Sequence, residues 1–371
     1  MPNAKFMPVS KRMTDLTDEI LEADLDKEET PDPDSEAPAN RDVVTQHYDL
    51  VVSSLIDQIG ANDIILRPSF QRGYVWPNRI ASKLIESIVL NVPIPPCFLA
   101  QNEEFELDVV DGQQRLETIR RYYQNEFPLS GLEVIKELNG KRFHQLPNKV
   151  QRQIKTHTVR CIMITNKSHP DVKFDIFERL NSNTSSLNPQ ELRNCIYRGT
   201  FNELLRELAT EKKWLKILGR KSADKRMRGE EVILRYFAYH LNGFETYRTP
   251  LKNWLNDAAS KGKKLDTEGI ENLKANWSSM LENTQSIFDC SEAFRRPKSR
   301  PINKALFDLV ASSTAVMNQD DILTFKERFR VDYYNLLEDS EFDDLISRAV
   351  DHKKRTQRRF EMWHEKFAWL Q

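Results

Sequence analysis

The sequence predicts an α+β domain followed by an all-α domain. Short apolar or alternating runs suited to strands fall at residues 64–66, 97–100, 105–110 and 159–164. Apolar residues at helical spacing fill stretches between them. From Thr200 onward no convincing strand pattern occurs. With only 11 Gly and 17 Pro in 371 residues, helix is favoured throughout.

Composition sets the class. The chain is 30% charged and 39% hydrophobic, with a mean hydropathy of −0.62, the profile of a globular protein long enough for two domains. No apolar run is long enough to span a bilayer, and residues 1–12 lack the apolar stretch of a signal peptide. Cys97, Cys161, Cys195 and Cys290 are widely spaced, with no metal-ligand pattern, and read as buried thiols in a reducing compartment. A cytoplasmic protein is expected. The net charge of −1 conceals an asymmetry. Residues 13–40 hold eleven acidic side chains and one basic, and residues 1–12 hold three basic ones, leaving residues 41–371 with a net of +6. A mildly basic body permits nucleic-acid binding without requiring it.

Residues 1–42 read as a disordered acidic leader, since their Pro- and Asp-rich end cannot bury enough apolar surface to offset its ordering entropy. A helix is expected near residues 50–59 and a strand at 64–66. Residues 67–77 form a loop mixing Phe70, Tyr74 and Trp76 with Gln71 and Arg72, a composition common on binding surfaces and equally suited to pinning a loop to the core. Pro77 suits the first position of a helix whose apolar stripe is Ile80, Leu84 and Ile88. Pro93, Pro95 and Pro96 end that helix, and a strand follows at 97–100. A helix is expected at 146–155, a buried strand at 159–164 and a helix at 169–180. After the polar loop 181–186, Asn188, Pro189 and Glu191 supply cap, first helical residue and capping-box partner for the next helix. Further helices are expected at 201–217, 229–241, 250–259, 267–289, 303–316, 320–337 and 341–369. Basic clusters at 221–228, 295–304 and 352–359 read as solvated faces.

The stretch with most chemical content is 105–116. Phe105, Leu107 and Val109 alternate with Glu106 and Asp108, as in a half-buried strand. Asp111-Gly112 breaks the strand, and from Gln113 the apolar residues Leu116, Ile119 and Tyr123 take helical spacing. A strand, a glycine turn and a helix start aim free backbone N–H groups and the helix dipole at an anion, typically phosphate. Arg115 is placed to add charged donors. Three roles are open to Asp111: holding a metal ion, orienting Arg115, or capping the helix. An Asp-Gly pair before a helix also occurs as a plain capped turn.

Several ordered motifs together resemble the N-terminal domain of GmrSD-type modification-dependent restriction systems. They are Pro68-x-Phe70-Gln71-Arg72-x-Tyr74-Val75-Trp76, Asn91-x-Pro93-Ile94-Pro95, Val110-Asp111-Gly112-Gln113-Gln114-Arg115, and Phe177-Glu178-Arg179-Leu180-Asn181 followed by Leu187-x-x-x-Glu191-Leu192. The resemblance covers roughly residues 45–200. It implies a small ParB/sulfiredoxin-like mixed sheet with helices over residues 43–198, ahead of a helical domain at 199–371.

The resemblance further implies nucleoside-triphosphate binding and hydrolysis, with Mg²⁺, coupled to defence against foreign DNA. Carried across, Asp111, Gly112, Gln113, Gln114 and Arg115 form the phosphate site, with Asp111, Gln114 and Arg115 catalytic and Asp111 meeting the metal. Phe70, Gln71 and Arg72 lie on the loop expected to close over it, and Asn181 completes the pocket. Long family members carry a second, HNH-type nuclease domain. The seven histidines here show no such arrangement, so cleavage is expected to come from a partner protein. The competing readings are a nucleotide-dependent DNA-binding module without hydrolysis and a nuclease acting through the same motif.

Overall fold

A computed structural model describes residues 44–66, 74–180, 188–224 and 226–370. The leader 1–42, the residues Phe70, Gln71, Arg72 and Asn181, and the loop 181–186 lie outside the described residues. The chain divides into two compact units, Glu36–Asn202 and Glu203–Gln371. The first is α+β and the second is helical, as the sequence predicts.

Among the described residues of the first unit there are seven short strands: β1 (Thr45–His47), β2 (Leu50–Val51), β3 (Ile64–Ile65), β4 (Cys97–Gln101), β5 (Leu107–Asp111), β6 (Thr158–Val159) and β7 (Cys161–Ile164). Five of them form a mixed sheet in the order β1-β7-β4-β5-β3, and β2 pairs with β6. β4 runs parallel to β7 and antiparallel to β5, while β3 runs parallel to β5. The start of β7, the start of β4 and the end of β5 therefore lie at one end of the sheet, and β3 runs towards that same end.

Helices α1 (Val52–Ala61), α2 (Asn78–Val89), α3 (Gln113–Tyr123), α4 (Asn148–Thr156), α5 (Pro170–Leu180) and α6 (Pro189–Ile196) complete this unit. α1 begins two residues later than expected because Leu50 and Val51 pair with Val159 and Thr158. It ends at Asn62, whose left-handed backbone lets its N–H reach the carbonyls of Gln58 and Ile59. Pro77 stands just outside α2, with extended backbone, and its carbonyl accepts from Ile80 and Ala81. The buried stripe of α2 is Ala81, Ile85 and Ile88, while Ile80 is 48% exposed. The stripe thus keeps Ile88 and takes the following residue at its other two positions. The strand expected at 159–164 breaks at Arg160, whose carbonyl accepts from Cys97, so its two halves join different sheets. α6 carries the expected reciprocal cap: Glu191 N–H donates to Asn188 at 2.8 Å and Asn188 N–H to Glu191 at 2.7 Å.

The strand expected from Phe105 differs most. Phe105 sits in the turn before β5, with φ of +65° and 71% of its surface exposed, and the strand begins at Leu107. Asp108 is not solvated but 2% exposed, because β5 is covered on both faces. Burial pushes its carboxyl up to about 6, against the pull of Arg198, whose Nη1 lies 3.6 Å away.

The second unit is built from α7 (Thr200–Ala209), α8 (Lys212–Leu218), α9 (Arg228–Asn242), α10 (Leu251–Lys263), α11 (Thr267–Ile287), α12 (Lys304–Val316), α13 (Gln319–Leu337), α14 (Ser340–Ser347) and α15 (Lys353–Lys366). α7 begins in the first unit. Two expected helices are each split in two, at Thr210–Glu211 and between Ser347 and Lys353. Its core is aromatic, with Trp214, Trp254, Trp277 and Trp363 each at most 1% exposed. Two basic clusters that read as solvated contain buried arginines. Arg295 is enclosed by the carbonyls of Ile217, Cys290, Ala293 and Arg300. Arg359 is fully buried beside Asp308, which also holds Arg235 at 2.6 Å, while Arg235 reaches Asp351 at 2.7 Å.

Candidate functional site

The sheet end described above gathers segments that are distant in sequence. Gly112 follows β5 and caps α3 with φ of +97°, a backbone that side chains disfavour. Space forbids one as well: a Cβ at Gly112 would lie 2.5 Å from Cys97 Sγ. Gly112 has no side chain with which to cap α3, and the first-turn N–H groups of a helix have no partner within it. A register shift between Phe98 and Leu99 lets β4 follow β5 as it turns out at Asp111.

Of the roles open to Asp111, the structure displays one. Arg115 Nη2 donates to Asp111 Oδ2 at 2.7 Å, across the turn. Arg115 Nη1 donates to the carbonyl oxygens of Pro95 and Pro96. The guanidinium is thereby fixed between the turn and the proline segment that enters β4, with 14% of its side chain exposed. Gln113 is the first, half-buried residue of α3, and Gln114 lies beside it in the first turn.

The 67–77 loop is described from Tyr74 onward, and there it is tied to α3. The Tyr74 hydroxyl lies 2.9 Å from Thr118 Oγ1, Val75 N–H donates to Gln114 Oε1 at 2.9 Å, and the Arg121 guanidinium stands 4.3 Å above the Tyr74 ring. The aromatic loop and the glycine turn are thus neighbours, although about forty residues separate them in sequence.

On the other side of Arg115 opens a cleft of about 600 Å³, lined among others by Asn91, Pro93, Pro95, Arg115, His157 and Arg160. Its size suits a nucleotide-sized ligand. Burial holds the His157 imidazole below its ordinary range, so it is neutral near pH 7. Under the turn, Cys97 and Cys161 face each other across the parallel pair β4 and β7. The neighbouring Cys161 thiol, chiefly, draws Cys97 down, while Cys97 and burial keep Cys161 protonated, with its Sγ donating to the Val159 carbonyl. Among the described residues no group of three His, Cys, Asp or Glu side chains is arranged to hold a metal ion. No helix of the described residues is long and apolar enough to cross a membrane.

His157 and Arg160 are additions that motif reading does not supply. The signal that points to them is charge: residues 138–170 contain seven Lys or Arg, three His and no Asp or Glu. Phe70, Gln71, Arg72 and Asn181 lie outside the described residues.

Residues 52–198 match the family model described as GmrSD restriction endonuclease, N-terminal domain. Comparisons with curated proteins and with solved structures give no match.

Proposed function

From a GmrSD-type N-terminal domain at residues 52–198, that of a restriction system, we propose that the chain binds and hydrolyses a nucleoside triphosphate, and that nucleotide state gates DNA recognition or a partner nuclease in antiviral defence. The observation that carries this reading is the left-handed Gly112 turn at the start of α3, with Arg115 fixed beside it by Asp111 and lining a nucleotide-sized cleft. Backbone N–H groups and the helix dipole would receive phosphate oxygens, and Arg115 would add charged donors. Gln114 holds Val75, so it couples the aromatic loop to the phosphate turn. Asp111 is the carboxylate that would reach a magnesium ion brought with the triphosphate, where one or two carboxylates suffice. The ion's contribution is to neutralise phosphate charge.

A second reading, binding without hydrolysis, is favoured by one fact: the Asp111 carboxylate is already engaged by Arg115. Phosphate release separates the two. Purified full chain is titrated with a labelled triphosphate, and released phosphate is followed with and without duplex DNA. Arg115→Ala should weaken binding roughly ten- to hundred-fold, the loss of one charge-assisted contact of about 1.5–3 kcal/mol. Unchanged triphosphate affinity in a folded Arg115→Ala protein would overturn the phosphate site. Binding without phosphate release would select the second reading.

A further inference from the structure

The acid-free run 138–170 has a surface that the phosphate turn does not use. Within α4, Lys149, Arg152, Gln153 and Thr156 recur at i, i+3, i+4 and i+7 and so share one face. Gln153 and Thr156 line the cleft that also holds Arg115 and Arg160. Lys149 and Arg152, both exposed, continue that face away from the cleft. Lys155 points elsewhere, with its ammonium 6.0 Å from the Phe143 ring.

Three of these side chains lack carboxylate partners on a face that carries no acidic residue. Elsewhere in the unit, Lys83 is paired with Glu133, Arg120 with Glu117 and Glu126, Arg121 with Glu126, and Arg198 with Glu106 and Asp108. Lys149, Arg152 and Arg160 make no ion pair among the described residues. Like charges kept close on one face without counter-charges raise the local potential and favour a polyanion.

We propose that this face of α4, Lys149 and Arg152 leading to Arg160 at the cleft, binds the phosphate backbone of duplex DNA. Regularly spaced phosphates supply the missing counter-charge, and lysine and arginine contacts to them carry no sequence information. The choice of DNA rests on the restriction-system reading above; the charge argument stands without it. The face would hold DNA next to the nucleotide cleft, the arrangement that gating of one ligand by the other requires.

The test is fluorescence anisotropy of the full chain with a labelled duplex of about 25 base pairs, at several salt concentrations and with two unrelated sequences. Lys149→Gln/Arg152→Gln should weaken both complexes about ten-fold or more and lower the slope of log K against log salt by roughly two. Lys155→Gln, whose ammonium is drawn to the Phe143 ring, should have a much smaller effect on both. Lys149→Arg/Arg152→Lys should retain binding. Triphosphate affinity, measured on the same samples, should stay at the wild-type level in every variant. If the double variant binds DNA with wild-type affinity and slope, if Lys155→Gln is equally damaging, or if the wild type binds no DNA, the proposal fails. Equal competition by duplex RNA would overturn the choice of DNA. Failure of the wild type to bind triphosphate would instead count against the nucleotide reading alone.

Discussion

Asp111 and Arg115 form an ion pair of 2.7 Å that spans the glycine turn from the last residue of β5 to the first turn of α3. The pair presets the direction of the guanidinium before any ligand arrives. Asp111→Asn should therefore weaken triphosphate binding less than Arg115→Ala does, since the charge of Arg115 remains while its anchor is weakened. Arg115→Ala also releases the carbonyls of Pro95 and Pro96, so a loss of about 1–3 kcal/mol of stability should accompany it. Chemical denaturation alongside binding measures both. Equal binding losses in the two variants would show that Asp111 contributes as much through the magnesium ion as Arg115 does through the phosphates.

Gly112 should tolerate no side chain. Gly112→Ala places a Cβ against Cys97 Sγ and forces a positive φ, and each effect alone costs on the order of 1 kcal/mol or more. Lowered melting temperature and lost triphosphate binding are expected together. Wild-type stability for Gly112→Ala would mean that the turn relaxes freely.

Gln114→Ala should free the aromatic loop without unfolding the domain. It removes the acceptor for Val75 N–H but leaves Tyr74 bonded to Thr118 and stacked under Arg121. Hydrogen exchange at Val75 should accelerate and triphosphate affinity should fall, with the melting temperature changed little. Unaltered exchange at Val75 would remove Gln114 from the loop's attachment.

Asp108 gives the first unit a distinct pH response. Its folded carboxyl titrates at about 6, above the unfolded value near 3.9, so it favours the folded state below pH 4 and loses that contribution as pH rises through 6. The change is on the order of 3 kcal/mol. Asp108→Asn should flatten stability between pH 4 and 7 and gain most above pH 6. Arg198→Ala should raise the titration point further, as carbon-detected NMR of Asp108 would report.

The second unit carries the opposite case. Burial pushes Asp351 up, yet Arg235, Lys304 and Arg359 together hold its carboxyl at about 2. Its stabilising contribution is present above pH 4 and lost as pH falls through 2. Asp308→Ala should cost about 3–5 kcal/mol, because Arg235 and Arg359 would remain buried with a charge removed. Thermal unfolding at neutral pH checks this.

Legibility in the sequence followed the range of the interactions. The Asn188 and Glu191 cap and the Gly112 turn are set by neighbours a few residues apart, so their residue types announce them. Asp108 is buried by elements remote in the chain, and its alternation with apolar residues pointed to solvent. Arg359 and Arg235 are neutralised by Asp308, 51 and 73 residues away, which no local pattern reveals. β1 and β2 span three and two residues, too short for any periodicity to register. The proximity of the aromatic loop to the glycine turn, and the cleft behind Arg115, follow from strand order, which motifs imply only through family resemblance.

That strand order also sets a length. Neighbouring strands lie about 4.8 Å apart, so three intervals, from β7 across β4 and β5 to β3, measure roughly 14 Å. The backbone fixes this distance independently of side chains, and the sheet end works as a ruler. A ligand that spans the whole of that width has to be elongated on that scale. Inorganic phosphate can occupy one interval but cannot bridge them. A molecule with a chain of phosphates and a ring system beyond it can.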